Sequence, residues 1–276
     1  MSGGGQGGQV GQVGQVGETK GLIGRGLGFS YGSKKVFGGV DFAARPGEVV
    51  CLIGPNGEGK TTLVRVLSGL ERAGQGTVEL DGVALTALAS RERARRVGVL
   101  LEAPDTTFGF TVRELVVMGR YPHVGRRTFE SDGDRAATRR AMELLDLEAL
   151  AESPVFALSA GQRQRVGMAR LVCQDPQVFL FDEPTSNLDP AHAERFVALC
   201  KDLAKQGKAC VCVVHDLDLA ARLGDRVAIL AGGLIAAEGA PDEVLTPAVI
   251  LRFWGVETQR VDALTGRPSL IVTATR

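Results

Sequence analysis

The sequence predicts an α/β fold with a parallel sheet, and three observations support this prediction. Short apolar runs of β-forming residues alternate with helical segments from about residue 48 to residue 230. One such run, EVVCLIG at 48–54, leads directly into a glycine-rich loop and then into a helix at 61–70. Hydrophobic residues make up 44% of the 276 residues, which is enough to bury a sizeable core.

Each element is predicted from its local pattern. Strands are expected where β-formers run between turn residues, and helices where apolar residues recur at helical spacing. The predicted strands cover 21–30, 36–43, 48–54, 77–85, 97–101, 177–184, 209–216 and 226–230. The predicted helices cover 61–70, 135–150, 162–173, 190–206 and 217–223. Residues 104–158 lack apolar strand runs and contain a charged loop and helical patterns. They are interpreted as a mainly helical insertion between two halves of the sheet.

The two ends of the chain differ from this central part. Residues 1–19 are rich in Gly and Gln, with GQV written three times, and lack a pattern that could form a core. We expect a disordered tail there, with a partner-binding repeat as the alternative. One folded domain is expected over 20–255, followed by a C-terminal tail over 256–276.

Composition argues against several classes of function. The 32 basic residues balance the 32 acidic ones, so no nucleic-acid partner is expected. No apolar stretch approaches the ~20 residues that span a bilayer, and the N-terminus lacks a signal-peptide pattern. We therefore expect a protein that is neither secreted nor membrane-spanning by itself. The cysteines form no CxxC pair and are interpreted as small buried hydrophobic residues in a reducing compartment.

A phosphate loop is the strongest chemical signal in the sequence. The segment GPNGEGKTT at 54–62 fits the Walker A pattern GxxxxGK[ST], whose glycines let the backbone approach a phosphate chain. Lys60 is expected to reach the β- and γ-phosphates, and Thr61 to hold Mg²⁺ at the start of the helix. A chance glycine turn would not explain the strand before the loop and the helix after it. The candidate nucleotide contacts are Gly54, Pro55, Asn56, Gly57, Glu58, Gly59, Lys60, Thr61 and Thr62.

An acidic pair ends the apolar run VFLFDE at 178–183. Asp182 at the tip of a buried strand can enter the Mg²⁺ shell, and Glu183 beside it can polarise an attacking water. A helix N-cap would look the same if the pair stood alone. Together with the phosphate loop, the pair indicates a Walker B strand.

The segment LSAGQRQRV at 158–166 closely resembles the LSGGQ signature of ATP-binding cassette (ABC) proteins. A Ser-Gly turn that opens a helix makes an anion site, here with Ser159, Gly161 and Gln162 as candidate nucleotide contacts. The alternative is a capping box that starts a surface helix. That alternative explains Ser159, but it explains neither the position just before the Walker B strand nor the QRQR that follows.

Three further residues resemble ABC elements and follow in the family's order. Tyr31 resembles the aromatic residue that stacks on adenine. Asp189, in the segment SNLD, resembles the D-loop, and His215 resembles the switch histidine that senses the γ-phosphate. Taken singly, each has an ordinary alternative. Tyr31 could be a packed aromatic residue, Asp189 a helix cap and His215 a core residue at the end of a strand. Their order over residues 21–240 identifies the chain as a member of the ABC ATP-binding proteins.

The resemblance implies a P-loop NTPase fold of the ABC ATPase type. Such domains combine a RecA-like α/β core, an antiparallel β-subdomain and a helical subdomain that carries the signature, here about 104–158. Family members bind ATP with Mg²⁺ and hydrolyse it, which implies catalytic roles for Lys60, Glu183 and His215. ATP is clamped between two copies paired head to tail, so a second copy of this chain is an expected partner.

The resemblance also implies partners at a membrane. Transport ATPases of this family are peripheral proteins at the cytoplasmic face, where they serve permease subunits and often a separate substrate-binding protein. The run TVRELVVMGRYPH at 111–123 resembles the helical subdomain of ATPases that serve importers of iron-siderophores, haem and cobalamin. The alternatives are the ATPase of another ABC transport system, or a soluble ABC protein such as the iron–sulfur assembly ATPase.

The sequence departs from the family pattern at a few positions. Glu102 stands where the Q-loop usually has Gln, so a carboxylate would join Thr61 and Asp182 as a candidate Mg²⁺ ligand but would face the phosphates with a repelling charge. Glu58 lies within the phosphate loop, where its side chain can point away from the phosphates. Ala160 replaces the first glycine of the signature, a change of one carbon.

Overall fold

The computed structural model describes residues 20–101, 109–124, 130–262 and 268–275. The predicted tail at 1–19 and the candidate ligand Glu102 lie outside these residues.

Strands and helices alternate along the described chain. The strands are β1 (Leu22–Tyr31), β2 (Lys34–Ala44), β3 (Val49–Ile53), β4 (Gln75–Leu80), β5 (Val83–Ala84), β6 (Val97–Leu100), β7 (Val178–Asp182), β8 (Ala209–Val213), β9 (Arg226–Ala231), β10 (Leu234–Gly239), β11 (Val256–Asp262) and β12 (Pro268–Thr275). The α-helices are α1 (Lys60–Ser68), α2 (Ser90–Arg96), α3 (Val112–Val117), α4 (Tyr121–Val124), α5 (Asp132–Leu144), α6 (Ala160–Gln174), α7 (Pro190–Lys205), α8 (Leu217–Leu223), α9 (Pro241–Val244) and α10 (Pro247–Trp254).

The central sheet has the order β10-β9-β3-β8-β7-β6 within the described residues. Every neighbouring pair from β9 to β6 is parallel, and only β10 pairs in the antiparallel sense. A second sheet, of order β2-β1-β4-β5, is antiparallel throughout. The parallel sheet predicted from the apolar runs is confirmed, and helices connect its strands.

The core lies on both faces of the central sheet. Strands β3, β7 and β8 are buried along their whole length, as their continuous apolar sequences predict. On one face Phe179 and Phe181 stack with 6.1 Å between ring centroids, and Phe181 meets Phe196 of α7 edge-on at 5.1 Å. On the other face α1 packs its leucines, Leu63 and Leu67, into the sheet. This packing fixes the loops at the carboxyl edge of the strands.

The cysteines are free and buried, as predicted from their apolar surroundings. Burial raises the pKa of the thiols of Cys51, Cys173, Cys200 and Cys212, so they stay protonated at neutral pH.

Between β6 and β7, helices α3, α5 and α6 pack against one another. The predicted helix over 135–150 is wrong after Leu144, where α5 ends, and Asp146 takes a positive φ of 50°. The cause is a buried arginine: Arg165 of α6 donates to the carbonyls of Leu145 at 2.8 Å and Asp146 at 3.0 Å. These bonds satisfy carbonyls exposed where the helix ends.

The C-terminal segment forms further structure. Strands β11 and β12, within the range assigned to a tail, pair in the antiparallel sense, and β11 follows α10 directly. Among the described helices, none combines the length and the apolar character that crossing a bilayer requires.

Candidate nucleotide-binding site

The candidate site lies at the carboxyl edge of the central sheet. The phosphate loop follows β3, the acidic pair ends β7, and His215 lies two residues beyond β8. Because β8 lies between β3 and β7, these three segments meet at one edge. Ligands of open parallel sheets bind at this edge. The structure therefore brings Lys60, Asp182, Glu183 and His215 together.

Glycines let the phosphate loop follow its path. Gly54, Gly57 and Gly59 have φ of 148°, 83° and 93°, a region that other residues rarely adopt. A Cβ on Gly54 would lie 2.1 Å from the Leu230 carbonyl oxygen, and one on Gly59 would lie 2.4 Å from Val36. The glycine requirement of the Walker A pattern is thus steric at both positions.

Lys60 begins α1 and is folded back over the loop. Its Nζ donates to the carbonyl oxygens of Gly54 at 2.8 Å and Pro55 at 2.9 Å. Burial lowers the pKa of Lys60, while the nearby carboxylates of Glu183, Asp182 and Glu58 act in the opposite direction. These carbonyl bonds place the ammonium group beside the start of α1, where the backbone N–H groups of the first turn are free to bind an anion.

A cavity of about 650 Å³ opens over the loop, within the size range of small-molecule sites. Its lining residues are Tyr31, Lys34, Lys35, Val36, Asn56, Gly57, Glu58, Gly59, Lys60, Thr61, Thr62, Glu183 and His215. Tyr31 is half exposed, and the edge-on contact with Phe29, 4.9 Å between centroids, supports its ring. The ring therefore has a free face for a flat ligand, unlike that of a packed core aromatic residue.

Asp182 and Thr61 offer oxygen ligands for a divalent cation. Asp182 is buried, and its Oδ1 has no hydrogen-bond partner among the described residues. Burial raises the pKa of Asp182, and a hydrogen bond from the Thr61 hydroxyl partly offsets this effect. Mg²⁺ prefers carboxylate and hydroxyl oxygens and usually keeps several waters and phosphate oxygens besides. The unpaired Oδ1 beside a hydroxyl fits such an ion.

Glu183 and His215 are joined directly. The Oε1 of Glu183 lies 2.6 Å from Nε2 of His215, and both side chains are partly exposed to the cavity. Glu183 has φ of 48°, which is unusual for a residue with a side chain, and its N–H donates to the Val213 carbonyl oxygen at 3.1 Å. Residues with such uncommon backbone conformations occur at functional sites more often than elsewhere.

The signature residues do not line this cavity. Ser159 caps α6 in a capping box: its Oγ accepts from the Gln162 N–H at 3.2 Å, and Gln162 Oε1 accepts from the Ser159 N–H at 2.9 Å. A Cβ on Gly161 would lie 2.5 Å from the Asn187 carbonyl oxygen, so the signature turn packs on the D-loop segment. Within a single chain, Ser159 therefore acts as the N-cap of α6, as the capping-box alternative predicts.

Asp189 also acts as a helix cap within one copy. Its carboxylate accepts from the His192 N–H at 2.9 Å and lies 2.8 Å from the ring Nδ1 of the same residue. These bonds lower the pKa of Asp189. Asp189 does not line the cavity.

Sequence reasoning missed some residues of the cavity wall. Lys34, Lys35 and Val36 begin β2 and face the cavity beside Tyr31. The signal that could have found them is the pair of adjacent lysines three and four residues after Tyr31. The contact between Glu58 and Gly232 was also missed, because 174 positions separate the two residues.

The family model and two similar curated proteins point to the same family. Residues 37–186 match the family model described as ABC transporter. The chain is 43% identical over 236 residues to the hemin import ATP-binding protein HmuV of Nocardia farcinica (strain IFM 10152), a match covering 86% of this chain and 81% of that protein. It is 35% identical over 244 residues to the iron(3+)-hydroxamate import ATP-binding protein FhuC of Bacillus subtilis (strain 168), covering 88% and 91%.

Solved structures agree with the sequence comparison. A bacterial ABC transporter cassette solved as a dimer superposes with a TM-score of 0.72 at 25% identity, covering 80% of this chain and 98% of that one. Proteins of this family are ATPases whose cassettes dimerise. The family model and the two relatives together show that the chain belongs to the ABC transporter family of ATP-binding proteins.

Proposed function

We propose that this chain is the ATP-hydrolysing subunit of an importer. The proposed cargo is an iron-siderophore, haem or cobalamin. The observation that carries the proposal is the 43% identity to a hemin import ATP-binding protein over most of both chains. The 35% identity to an iron(3+)-hydroxamate import ATP-binding protein supports the same class of cargo.

In the proposed mechanism, the loop backbone and Lys60 bind the phosphate chain, and Tyr31 stacks on adenine. Thr61 and Asp182 would hold Mg²⁺, which when bound neutralises charge on the phosphates. Glu183 orients and polarises the attacking water, and His215 holds the Glu183 carboxylate in position through its 2.6 Å contact. Preorganised groups of this kind lower the barrier without moving during the reaction.

A second copy completes the site in this proposal. The signature at Ser159 opens α6 at an exposed position and lies outside the cavity of its own copy. Head-to-tail pairing would place the signature of one copy over the phosphate loop of the other. The backbone N–H groups that begin α6 would then bind the far side of the phosphates.

We further propose that the GRYPH segment at 119–123 forms part of the surface that docks on a permease at the cytoplasmic face of the membrane. The segment is attached to α2, because Arg91 and Arg95 both donate to the Pro122 carbonyl oxygen, at 3.0 and 2.8 Å. His123 binds the carbonyl of Gln174 at the end of α6. Tyr121 remains 77% exposed between these anchored residues, where it can contact a partner.

Co-expression with a permease tests this assignment. The chain should sediment with membranes only when the permease subunits of an iron-chelate importer are present, and Tyr121→Ala should reduce that association. Uptake of labelled haem, ferric hydroxamate and cobalamin by the same cells, with and without a separate substrate-binding protein, identifies the cargo. Equal membrane association without any permease would contradict the docking proposal. ATP hydrolysis without uptake of any of the three would favour another ABC transport system.

A further inference from the structure

The side chain of Glu58 points out of the phosphate loop. Its Oε2 accepts a hydrogen bond of 2.7 Å from the backbone N–H of Gly232, a residue 174 positions away in the sequence. Gly232 and Gly233 form the turn between β9 and β10. The carboxylate therefore ties the phosphate loop to the turn at the β10 edge of the central sheet. Its charge near the phosphate site would by itself oppose an anionic ligand.

The same turn also contacts the antiparallel sheet. The Gly233 carbonyl oxygen accepts from the Gly38 N–H of β2 at 3.2 Å, and a Cβ on Gly233 would lie 3.2 Å from the Val36 carbonyl oxygen. Tyr31 at the end of β1 pairs with the first residue of β2. The turn thus connects the phosphate end of the cavity with the end that carries the exposed aromatic ring.

The hydrogen bond between Glu58 and Gly232 restrains the part of the phosphate loop that contains two glycines. Glu58 lies between Gly57 and Gly59, whose φ values of 83° and 93° favour glycine. The backbone of glycine has more conformational freedom than that of any other residue type. A Cβ on Gly57 would touch nothing within 4 Å, so packing does not hold that position. Anchoring the side chain of residue 58 restricts the peptide units on either side, whose N–H groups form part of a phosphate-binding loop.

We infer that Glu58 is a positioning residue for ATP: by binding the Gly232 N–H it holds the phosphate loop in its ligand-binding shape before the nucleotide arrives. Binding then orders less of the backbone, which favours tighter association. This inference rests on the proposed nucleotide site and adds to it a contact that lies outside the Walker A pattern itself.

Two substitutions separate the hydrogen bond from the charge. Glu58→Gln keeps an acceptor oxygen for the Gly232 N–H but removes the charge, whereas Glu58→Ala removes both. Calorimetric titration with ATP should give a Kd for Glu58→Gln equal to or below that of the parent. The Kd of Glu58→Ala should be about five-fold above that of Glu58→Gln, as expected for one hydrogen bond. The KM for ATP should rise in parallel, with a smaller change in kcat.

Asp41→Ala is the matched control. Asp41 also accepts from a glycine of positive φ at 2.7 Å, the N–H of Gly26 within β1, but does so away from the cavity. Its Kd for ATP should match that of the parent, and thermal melts should show that all the variants are folded. Equal ATP affinity of Glu58→Ala and Glu58→Gln would overturn the inference while leaving the nucleotide site intact. Absence of ATP binding by the parent chain would overturn both.

Discussion

The carboxylate of Glu183 and the ring of His215 are joined by a 2.6 Å contact between Oε1 and Nε2. The two residues follow neighbouring strands, β7 and β8, and the Glu183 N–H is bonded to the end of β8 through the Val213 carbonyl. Both backbone and side chain of Glu183 are therefore set by the strand that leads to His215. In the proposed mechanism, this arrangement orients the attacking water.

Replacing His215 should slow hydrolysis while sparing ATP binding. His215→Ala removes the partner that orients Glu183, and loss of a group that acts in proton transfer or its positioning costs about 10²-fold or more in rate. We expect kcat to fall by about that factor and the Kd for ATP to change by less than about three-fold. Steady-state kinetics with calorimetry measure both quantities. A kcat within two-fold of the parent would contradict this role.

Lys60→Ala should weaken ATP binding. The ammonium group lies beside the start of α1, and its loss removes a charge-assisted contact to phosphate of the kind that contributes about 1.5–3 kcal/mol. The Kd should rise by at least about ten-fold. Because Lys60 also bonds two loop carbonyls, circular dichroism and a thermal melt must first show that the variant is folded. A folded variant with parental affinity would contradict the assignment.

Asp182→Asn should stabilise the ligand-free protein and abolish its response to Mg²⁺. The buried carboxylate carries an unpaired oxygen, and its raised pKa means that burial disfavours the charged form. Its charge therefore destabilises the fold at neutral pH, and this penalty disappears as the group is protonated at lower pH. We expect Tm to rise by about 2 °C or more without ligand. Scanning calorimetry with and without Mg²⁺ and ATP tests this; a lower Tm would contradict it.

Glu48→Gln should lower stability at neutral pH but not in acid. Burial raises the pKa of Glu48, but Arg226, bonded at 2.7 and 3.0 Å, and Arg45, whose N–H donates at 3.0 Å, together lower it to below the ordinary value of 4.5. The folded carboxylate thus contributes stability above about pH 4.5 that is lost as pH falls through its lower folded pKa. Urea melts at pH 7 should show a loss of about 1–2 kcal/mol.

The exposed Glu143 supplies the control for this prediction, since Glu143→Gln should change little at any pH. A loss at pH 7 that persists unchanged at pH 3 would show that packing, and not the ion pair, explains the effect of Glu48→Gln.

The sequence predicted the strands of the central sheet well. Strands β3, β7 and β8 are buried on both faces, so their apolar runs are continuous and end at recognisable motifs. Because the carboxyl ends of adjacent parallel strands share one edge, the motifs after these strands had to meet.

Features that depend on distant contacts were not predictable in this way. Strand β10, with the sequence LIAAEG, contains residues of low β-propensity and forms because it pairs with β9. The end of α5 is set by Arg165, which comes more than 20 residues later. The bond between Glu58 and Gly232 joins two turns that only the completed fold brings together.

The most direct test of the account is the ATP-dependent association of Glu183→Gln. The substitution removes the charge that polarises water, while Lys60, Thr61 and the phosphate loop remain. In analytical ultracentrifugation this variant should sediment as a monomer alone and as a dimer with ATP. A second substitution, Ser159→Arg at the signature, should prevent the dimer without preventing ATP binding. A Glu183→Gln variant that hydrolyses ATP at the parental rate, or that stays monomeric with saturating ATP, would contradict a site formed by two copies with Glu183 as its base.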